Sequence, residues 1–181
     1  MKKINKKISD SYRELRNVVE GYSNVRCISI TGNSSIEENL LIAKNFAIKL
    51  AKCGKKTLFV DCNLGRNNAD KVEGLIEMLK VINKEYISDL ELKNYISETQ
   101  CENLSMLSIG NVNLNNYIYL LKIEHLKLAI ERLKISFDYI IMYMPLQGDL
   151  SYTKILNKAD DEYLFVAKED VVYENNSYFK L

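Results

Sequence analysis

The feature that most constrains the fold is an alternation of short apolar runs with longer amphipathic ones. The apolar runs predict strands at 25–31, 55–61, 103–110, 137–144 and 162–168. Apolar residues at helical spacing predict helices at 9–21, 37–53, 72–82, 115–134 and 152–159, with a short helix or turn at 92–96. This order is typical of an α/β fold, a mostly parallel sheet with helices on both faces. Ligands of such folds bind at the carboxyl ends of the strands.

The chain is long enough for one domain with a buried core. We predict a flexible basic N-terminus at 1–8, a single α/β domain at 9–168 and a short tail at 169–181. Ser11 followed by Glu14 fits a capping box at the start of the first helix. Gly54 is expected to end the second helix.

Composition excludes several classes of function. A formal net charge of +1 gives no overall field that would attract nucleic acid, so we expect no nucleic-acid partner. No apolar run is long enough to cross a bilayer and no secretory signal is visible, so we expect a cytoplasmic protein. His125 is interpreted as a helix-surface residue. The four cysteines lack the spacing of a metal or redox pair and are interpreted as small buried residues: Cys27, Cys53, Cys62 and Cys101. We predict no metal site.

The stretch TGNSSIEENLL (31–41) lies between the first strand and the second helix, where a phosphate-binding loop would be. Such a loop needs glycines that expose backbone N–H groups, a lysine for the phosphates, and hydroxyl and acidic groups for Mg²⁺. This stretch has one glycine, no lysine and two adjacent glutamates. Glu37 and Glu38 would themselves occupy the positive end of the helix dipole. We predict that the loop keeps its backbone path and has lost its chemistry.

Five stretches together carry a family resemblance: DSYRELR (10–16), the loop with AKNFA (43–47), LFVDCNLGR (58–66), IGNVNLNNYIYLL (109–121) and FDYIIMYMP (137–145). They resemble the bacterial tyrosine kinase family of capsular and exopolysaccharide synthesis, deviant P-loop ATPases related to MinD and ParA. The resemblance runs from about Asp10 to Val166. It implies a P-loop NTPase-like domain that is truncated at its C-terminus.

The resemblance also identifies the positions of a nucleotide site, and most of them have changed. The family's glycines are replaced by Ile36 and Glu38, its lysine by Asn39 and its serine by Leu40. Asp61, which in the family helps with Mg²⁺ and the attacking hydroxyl, is retained; alone, it is interpreted as a turn-capping carboxylate. The full degenerate set is Ser34, Ser35, Ile36, Glu37, Glu38, Asn39, Leu40, Asp61, Asn63 and Tyr143, with Tyr143 in place of the Walker B acid.

Two further parts of the family pattern have partial matches. A helix with Glu-x-x-Arg-x-x-Arg packs family subunits into a ring, which implies an oligomer interface at Asp10, Arg13 and Arg16; the alternative is a charged, solvated face. Family members end in tyrosines that are phosphorylated in trans. Tyr173 and Tyr178 are the candidate phosphoacceptors here, and the alternative is two tyrosines in a frayed end.

These observations favour a catalytically impaired pseudokinase with no catalytic residues and no cofactor. It would act by protein–protein interaction, as a homo-oligomer or with an active paralogue. The resemblance also implies a membrane-anchored activator protein that recruits it to the inner face of the membrane. The main alternative is an active autokinase that uses ATP, Mg²⁺ and Asp61, with Arg66 as the substitute cation. Lys44 is a poor substitute, because it lies farther along the helix and is expected to point elsewhere. A third hypothesis is nucleotide binding without turnover.

Overall fold

The computed structural model describes residues 2–21, 24–32, 35–63, 73–82, 92–110, 123–144, 162–166 and 178–179. The helices within these residues are α1 (Lys2–Gly21), α2 (Ile36–Lys52), α3 (Leu75–Ile82) and α4 (Ile123–Ser136), with a 3₁₀ turn at Lys93–Tyr95. The strands are β1 (Cys27–Gly32), β2 (Thr57–Asp61), β3 (Ser97–Glu98), β4 (Leu104–Ser108), β5 (Tyr139–Tyr143), β6 (Glu162–Val166) and β7 (Tyr178–Phe179).

The strands form one sheet in the order β3-β4-β2-β5-β1-β6-β7. All neighbouring strands are parallel except β3, which is antiparallel to β4. The register places Tyr143 at the end of β5 opposite Ile30 of β1 and opposite Asp61 of β2. The carboxyl ends of β1, β2 and β5 therefore meet at one edge of the sheet.

Helices cover both faces of the sheet. Successive residues of a strand point to opposite faces, so the buried strands contribute side chains to both helical layers. Ile28 and Ile30 of β1 belong to the apolar cluster that packs α1 and α2 on one face. Leu58 and Val60 of β2 belong to the cluster that packs α3 and α4 on the other. Each fully buried large aliphatic side chain contributes about 1.5–3 kcal/mol. The predicted α/β fold, with a mostly parallel sheet between two helical layers, is confirmed.

Most predicted elements are confirmed within a few residues. All five predicted strands are present, the turn at 92–96 is the 3₁₀ turn, and Gly54 ends α2 with a φ of +81°. The edge strands β3 and β7 were not predicted, because two residues are too short to show a pattern. The predicted helix 152–159 and the start of the predicted helix 115–134 lie outside the described residues.

The N-terminal prediction was wrong. Helix α1 begins at Lys2, so residues 2–8 are helical rather than frayed. Ser11 lies inside this helix, and a capping box there is excluded. No glycine or proline interrupts residues 2–20, and Ile4 and Ile8 continue the helical spacing of the buried Tyr12 and Leu15.

The cysteines are only partly as expected. Cys27 and Cys62 are buried, but Cys53 is exposed at the end of α2 and Cys101 is half-buried, so the prediction was wrong for these two. Burial raises the pKa of the Cys62 thiol, and the adjacent Asp61 carboxylate raises it further, so this thiol stays protonated.

Among the described helices, none is long and apolar enough to cross a membrane.

Candidate functional site

The candidate site lies where β1, β2 and β5 end beneath the N-terminus of α2. Strand β1 ends at Gly32, and α2 begins at Ile36 with Ser35 as its N-cap residue. Ser34 lies outside the described residues, so the loop is described only from Ser35 onward. Because the N-terminus of a helix attracts anions, this is the place where a phosphate would bind in such a fold.

The first turn of α2 is closed by a capping box. The hydroxyl of Ser35 accepts a hydrogen bond from the backbone N–H of Glu38 at 3.2 Å, and the backbone N–H of Ser35 donates to the Glu38 carboxylate at 3.3 Å. The backbone N–H of Asn39 donates to the Ser35 carbonyl at 3.0 Å. Glu37 also lies in this first turn. The prediction that carboxylates occupy the helix N-terminus is confirmed for Glu38, and the N–H groups of Glu38 and Asn39 are already used.

Asn39 and Leu40 are the residues that the resemblance matches to the family's lysine and serine. Asn39 is only 2% exposed, and its side-chain amide donates to the carbonyl of Gly32 at 2.9 Å. This bond ties the end of β1 to the first turn of α2. Leu40 is buried in the cluster beneath α1 and α2. Neither residue offers a charged group or a hydroxyl to a ligand.

Tyr143 connects the end of β5 to the start of α2. The residue is fully buried, and its hydroxyl donates to the carbonyl of Ile36 at 2.8 Å. Its own carbonyl accepts from the backbone N–H of Cys62 at 3.0 Å. The sequence predicted only the absence of an acid here and missed this contact. The available signal was a tyrosine at the end of an otherwise aliphatic strand, since a buried tyrosine usually finds a partner for its hydroxyl.

Asp61 and Asn63 lie just beyond β2, and both are buried. The Asp61 carboxylate oxygen Oδ1 accepts from the backbone N–H of Asn63 at 3.1 Å. This geometry is that of a carboxylate that closes a turn two residues on, which confirms the turn-capping interpretation of Asp61.

Of the two cations considered as substitutes for a phosphate-binding lysine, Lys44 lies within the described residues. The Lys44 ammonium lies over the ring of Phe59, 5.9 Å from its centroid, as expected for a side chain directed away from the loop. Arg66 lies outside the described residues. Glu37 and Glu38 are both exposed, so the surface at the start of α2 is acidic.

The three residues predicted for oligomerisation do not share one set of contacts. Asp10 and Arg13 form an exposed ion pair at 3.0 Å within α1. Arg16 instead contacts Glu20 at 3.5 Å and the Cys53 sulfur at 2.9 Å, at the end of α2. Exposed ion pairs of this kind stabilise a helix by only a few tenths of a kcal/mol. Of the two candidate phosphoacceptors, Tyr178 lies in the edge strand β7 and Tyr173 lies outside the described residues.

The parallel sheet, the helices on its two faces and the loop between β1 and α2 define a P-loop NTPase-like domain. A family model described as "AAA domain" matches residues 41–174, and the chain belongs to that family. The match begins directly after Leu40. The tyrosine-protein kinase CpsD of Streptococcus pneumoniae serotype 4 (strain ATCC BAA-334 / TIGR4) is 28% identical over 170 residues, 89% of this chain and 71% of CpsD.

Solved structures agree with this assignment. The chimerical protein CapA2B2 has a TM-score of 0.70 at 22% identity, with 91% of this chain and 71% of that one covered. The BceF tyrosine kinase domain has a TM-score of 0.62 at 26% identity, with 78% and 55% covered. The chain is therefore similar to bacterial tyrosine kinases and has a MinD/ParA-like fold.

Proposed function

We propose that this chain is a catalytically impaired member of its family that acts through protein–protein interaction in capsular or exopolysaccharide synthesis. The observation that carries the proposal is the hydrogen bond from the Tyr143 hydroxyl to the Ile36 carbonyl. It places a neutral, buried ring where the family has a carboxylate, and it holds the first turn of α2 down on the sheet. ATP and Mg²⁺ are not expected to bind.

The described residues of the site do not fit Mg-ATP. Phosphate binding at this loop uses backbone N–H groups, and those of Glu38 and Asn39 already donate to Ser35. Mg²⁺ prefers an octahedral set of oxygen ligands. At the positions where the resemblance implies such ligands, the Leu40 side chain has no oxygen and the Tyr143 hydroxyl is a neutral group that donates to the Ile36 carbonyl. The retained carboxylate, Asp61, is buried and already closes a turn.

The charge of the loop, like its hydrogen bonding, opposes the binding of a triphosphate. Relative to the family's glycine and lysine, Glu38 and Asn39 change the formal local charge by −2. A carboxylate about 5 Å from a phosphate charge costs roughly 1 kcal/mol in water and roughly 3 kcal/mol at an effective dielectric of about 20. The lost lysine attraction is of the same order. Together these terms correspond to a loss of affinity of roughly 10- to 10⁴-fold.

The chain would then act through the proteins that it binds. We propose that the exposed Asp10–Arg13 face of α1 contributes to a homo-oligomer or to a hetero-oligomer with an active paralogue. A membrane-anchored activator would bring this cytoplasmic protein to the inner face of the membrane. Tyr173 and Tyr178 are the proposed phosphoacceptors for an active paralogue.

The test is a calorimetric titration of the folded chain with ATP and Mg²⁺, with CpsD in the same buffer as the positive control. We expect no heat of binding. A revertant with Ile36→Gly, Glu38→Gly, Asn39→Lys, Leu40→Ser and Tyr143→Asp should gain binding if it folds. Micromolar binding by the unaltered chain would refute the proposal and favour the alternative, an ATP-dependent autokinase with an altered loop.

A further inference from the structure

A second concave site lies beside the start of β4, away from the carboxyl ends of the strands where α2 begins. It is a cavity of about 220 Å³. The 3₁₀ turn and β3 form one wall, and the last turn of α4 with Phe137 forms the other. Drug-sized ligands occupy pockets of roughly 300–1,000 Å³. A cavity of this size suits one side chain or a comparably small group, and it is too small for a nucleotide.

The lining of this cavity combines an apolar floor with a cationic rim. Leu92 and Leu133 are each 3% exposed and form the floor together with the half-buried Phe137. Lys93 and Arg132 supply two positive charges. A flat apolar ring would pack on the floor, while an anionic group at the end of that ring would meet the guanidinium and the ammonium.

Two hydroxyl groups add hydrogen-bonding capacity. Ser105 of β4 and Ser136 of α4 line the same cavity. A hydroxyl can donate to an anionic oxygen without adding charge. The lining therefore offers both the charge and the donors that a phosphate monoester requires.

The end of α4 would ordinarily repel an anion, because the carbonyls there carry partial negative charge. Arg26 offsets this effect. Its guanidinium donates to the carbonyls of Lys134, Phe137 and Asp138. The carbonyls of Lys134, Phe137 and Asp138 are therefore bound to a cation, which weakens the negative end of the helix dipole beside the cavity.

We propose that this cavity binds a phosphotyrosine side chain presented by a partner protein. An aromatic ring with a terminal dianion matches an apolar floor beneath an Arg–Lys rim, and phosphotyrosine is the product of the tyrosine kinases to which the chain is related. The inference rests on the part of the proposed function in which the chain meets a phosphorylated kinase. It does not depend on whether the chain binds ATP.

Glu98 is the one carboxylate in the lining, and it opposes an anion. Formal charges of +1 from Lys93, +1 from Arg132 and −1 from Glu98 leave a net +1. Binding is therefore expected to be weak and to depend on salt. Replacing the carboxylate by the isosteric amide, Glu98→Gln, should tighten binding several-fold, whereas a merely structural role for Glu98 would give no gain.

The experiment is fluorescence anisotropy with a short labelled peptide that contains one phosphotyrosine, in buffer without nucleotide. Arg132→Ala should lower affinity about 10- to 100-fold, the range for a hydrogen bond between charged groups. Arg132→Lys should retain part of the affinity, because the ammonium keeps the positive charge but not the paired N–H donors of the planar guanidinium. Lys52→Ala at the end of α2 is the matched control, since it removes the same charge at an exposed position in the other helical layer. Circular dichroism confirms the fold of each variant.

Phenyl phosphate serves as a minimal probe in NMR titrations, and its shifts should be confined to the amides of residues 92–98, 105 and 132–137. Equal affinity for the phosphorylated and unphosphorylated peptides would overturn the proposal, as would equal losses for Arg132→Ala and Lys52→Ala. If the cavity bound phenyl phosphate but did not bind the phosphorylated peptide, the assignment to a partner protein would be overturned. None of these outcomes bears on the ATP titration, so the two proposals fail separately.

Discussion

Removing one oxygen atom from Tyr143 tests whether its hydroxyl holds the start of α2. Tyr143→Phe keeps the ring in place, so it opens no cavity and changes no charge. It deletes the 2.8 Å hydrogen bond to the Ile36 carbonyl from a fully buried side chain. A hydrogen bond contributes about 0.5–1.5 kcal/mol net, and a buried acceptor left without its donor costs about 1–3 kcal/mol. We expect a loss of about 1–2 kcal/mol, which for a chain of this length lowers Tm by about 2–8 °C.

The measurement is urea unfolding followed by far-UV circular dichroism and by tyrosine fluorescence, with coincident transitions as the check on two-state behaviour. Tyr139→Phe is the matched control. It makes the same change at the other end of β5, at a half-buried tyrosine whose hydroxyl has no hydrogen bond among the described residues. A loss for Tyr143→Phe within about 0.5 kcal/mol of the control would refute the argument, because scatter among neutral substitutions is of that size.

Hydrogen exchange gives a second, local readout. If the Tyr143 hydroxyl restrains the first turn of α2, the amides of Glu38 and Asn39 should exchange faster in Tyr143→Phe. Amides near the middle of α2, such as those of Phe46 and Ala47, should change only with global stability. A uniform change along the helix would show that the hydroxyl stabilises the domain without holding this turn.

Two further predictions concern the same helical layer. Ser35→Ala removes the N-cap of α2 and should cost about 1 kcal/mol in urea unfolding, while Ser136→Ala at the end of α4 should cost little; equal losses would contradict the capping role. Burial raises the pKa of Tyr12, partly offset by a hydrogen bond with Asn45. The folded state therefore holds the Tyr12 proton more tightly than the unfolded chain, whose tyrosine pKa is about 10. The contribution of Tyr12 to the free energy of unfolding is complete below that pH and is lost as the pH rises through the folded pKa. Stability of the unaltered chain should fall more steeply above about pH 10 than that of Tyr12→Phe, and parallel curves would exclude this contribution.

The sequence predicted the strands and α2 because their signals are local. Each apolar run is short and bounded, and α2 carries its stop signal at Gly54. The predicted start of α1 was wrong, because the serine three residues before a glutamate is a weaker signal than the continuing helical spacing of Ile4 and Ile8. A local motif such as a capping box occurs by chance inside helices, so the longer pattern was the better guide.

The candidate site could be located from the sequence, but its internal contacts could not be predicted. Tyr143 and Ile36 are far apart in the chain, and their contact depends on β5 lying beside β1 in a register that pairs Ile30 with Tyr143. Likewise, a buried asparagine that binds the carbonyl of Gly32 depends on how α2 enters the domain. A substitution pattern identifies the groups that are missing. Only the packed structure shows what the new side chains bind instead.

The residues at the start of α2 act as a set, and under the proposed function this determines which changes would permit nucleotide binding. The Ser35–Glu38 capping box uses the N–H of Glu38, the Asn39 side chain binds Gly32, and the Tyr143 hydroxyl binds the Ile36 carbonyl. Asn39→Lys alone would add a cation beside Glu38 while the N–H groups remained occupied and the metal ligands remained absent. Contacting residues do not act additively. Because each contact stabilises the closed turn that the others require, nucleotide binding should return only when the positions are reverted together.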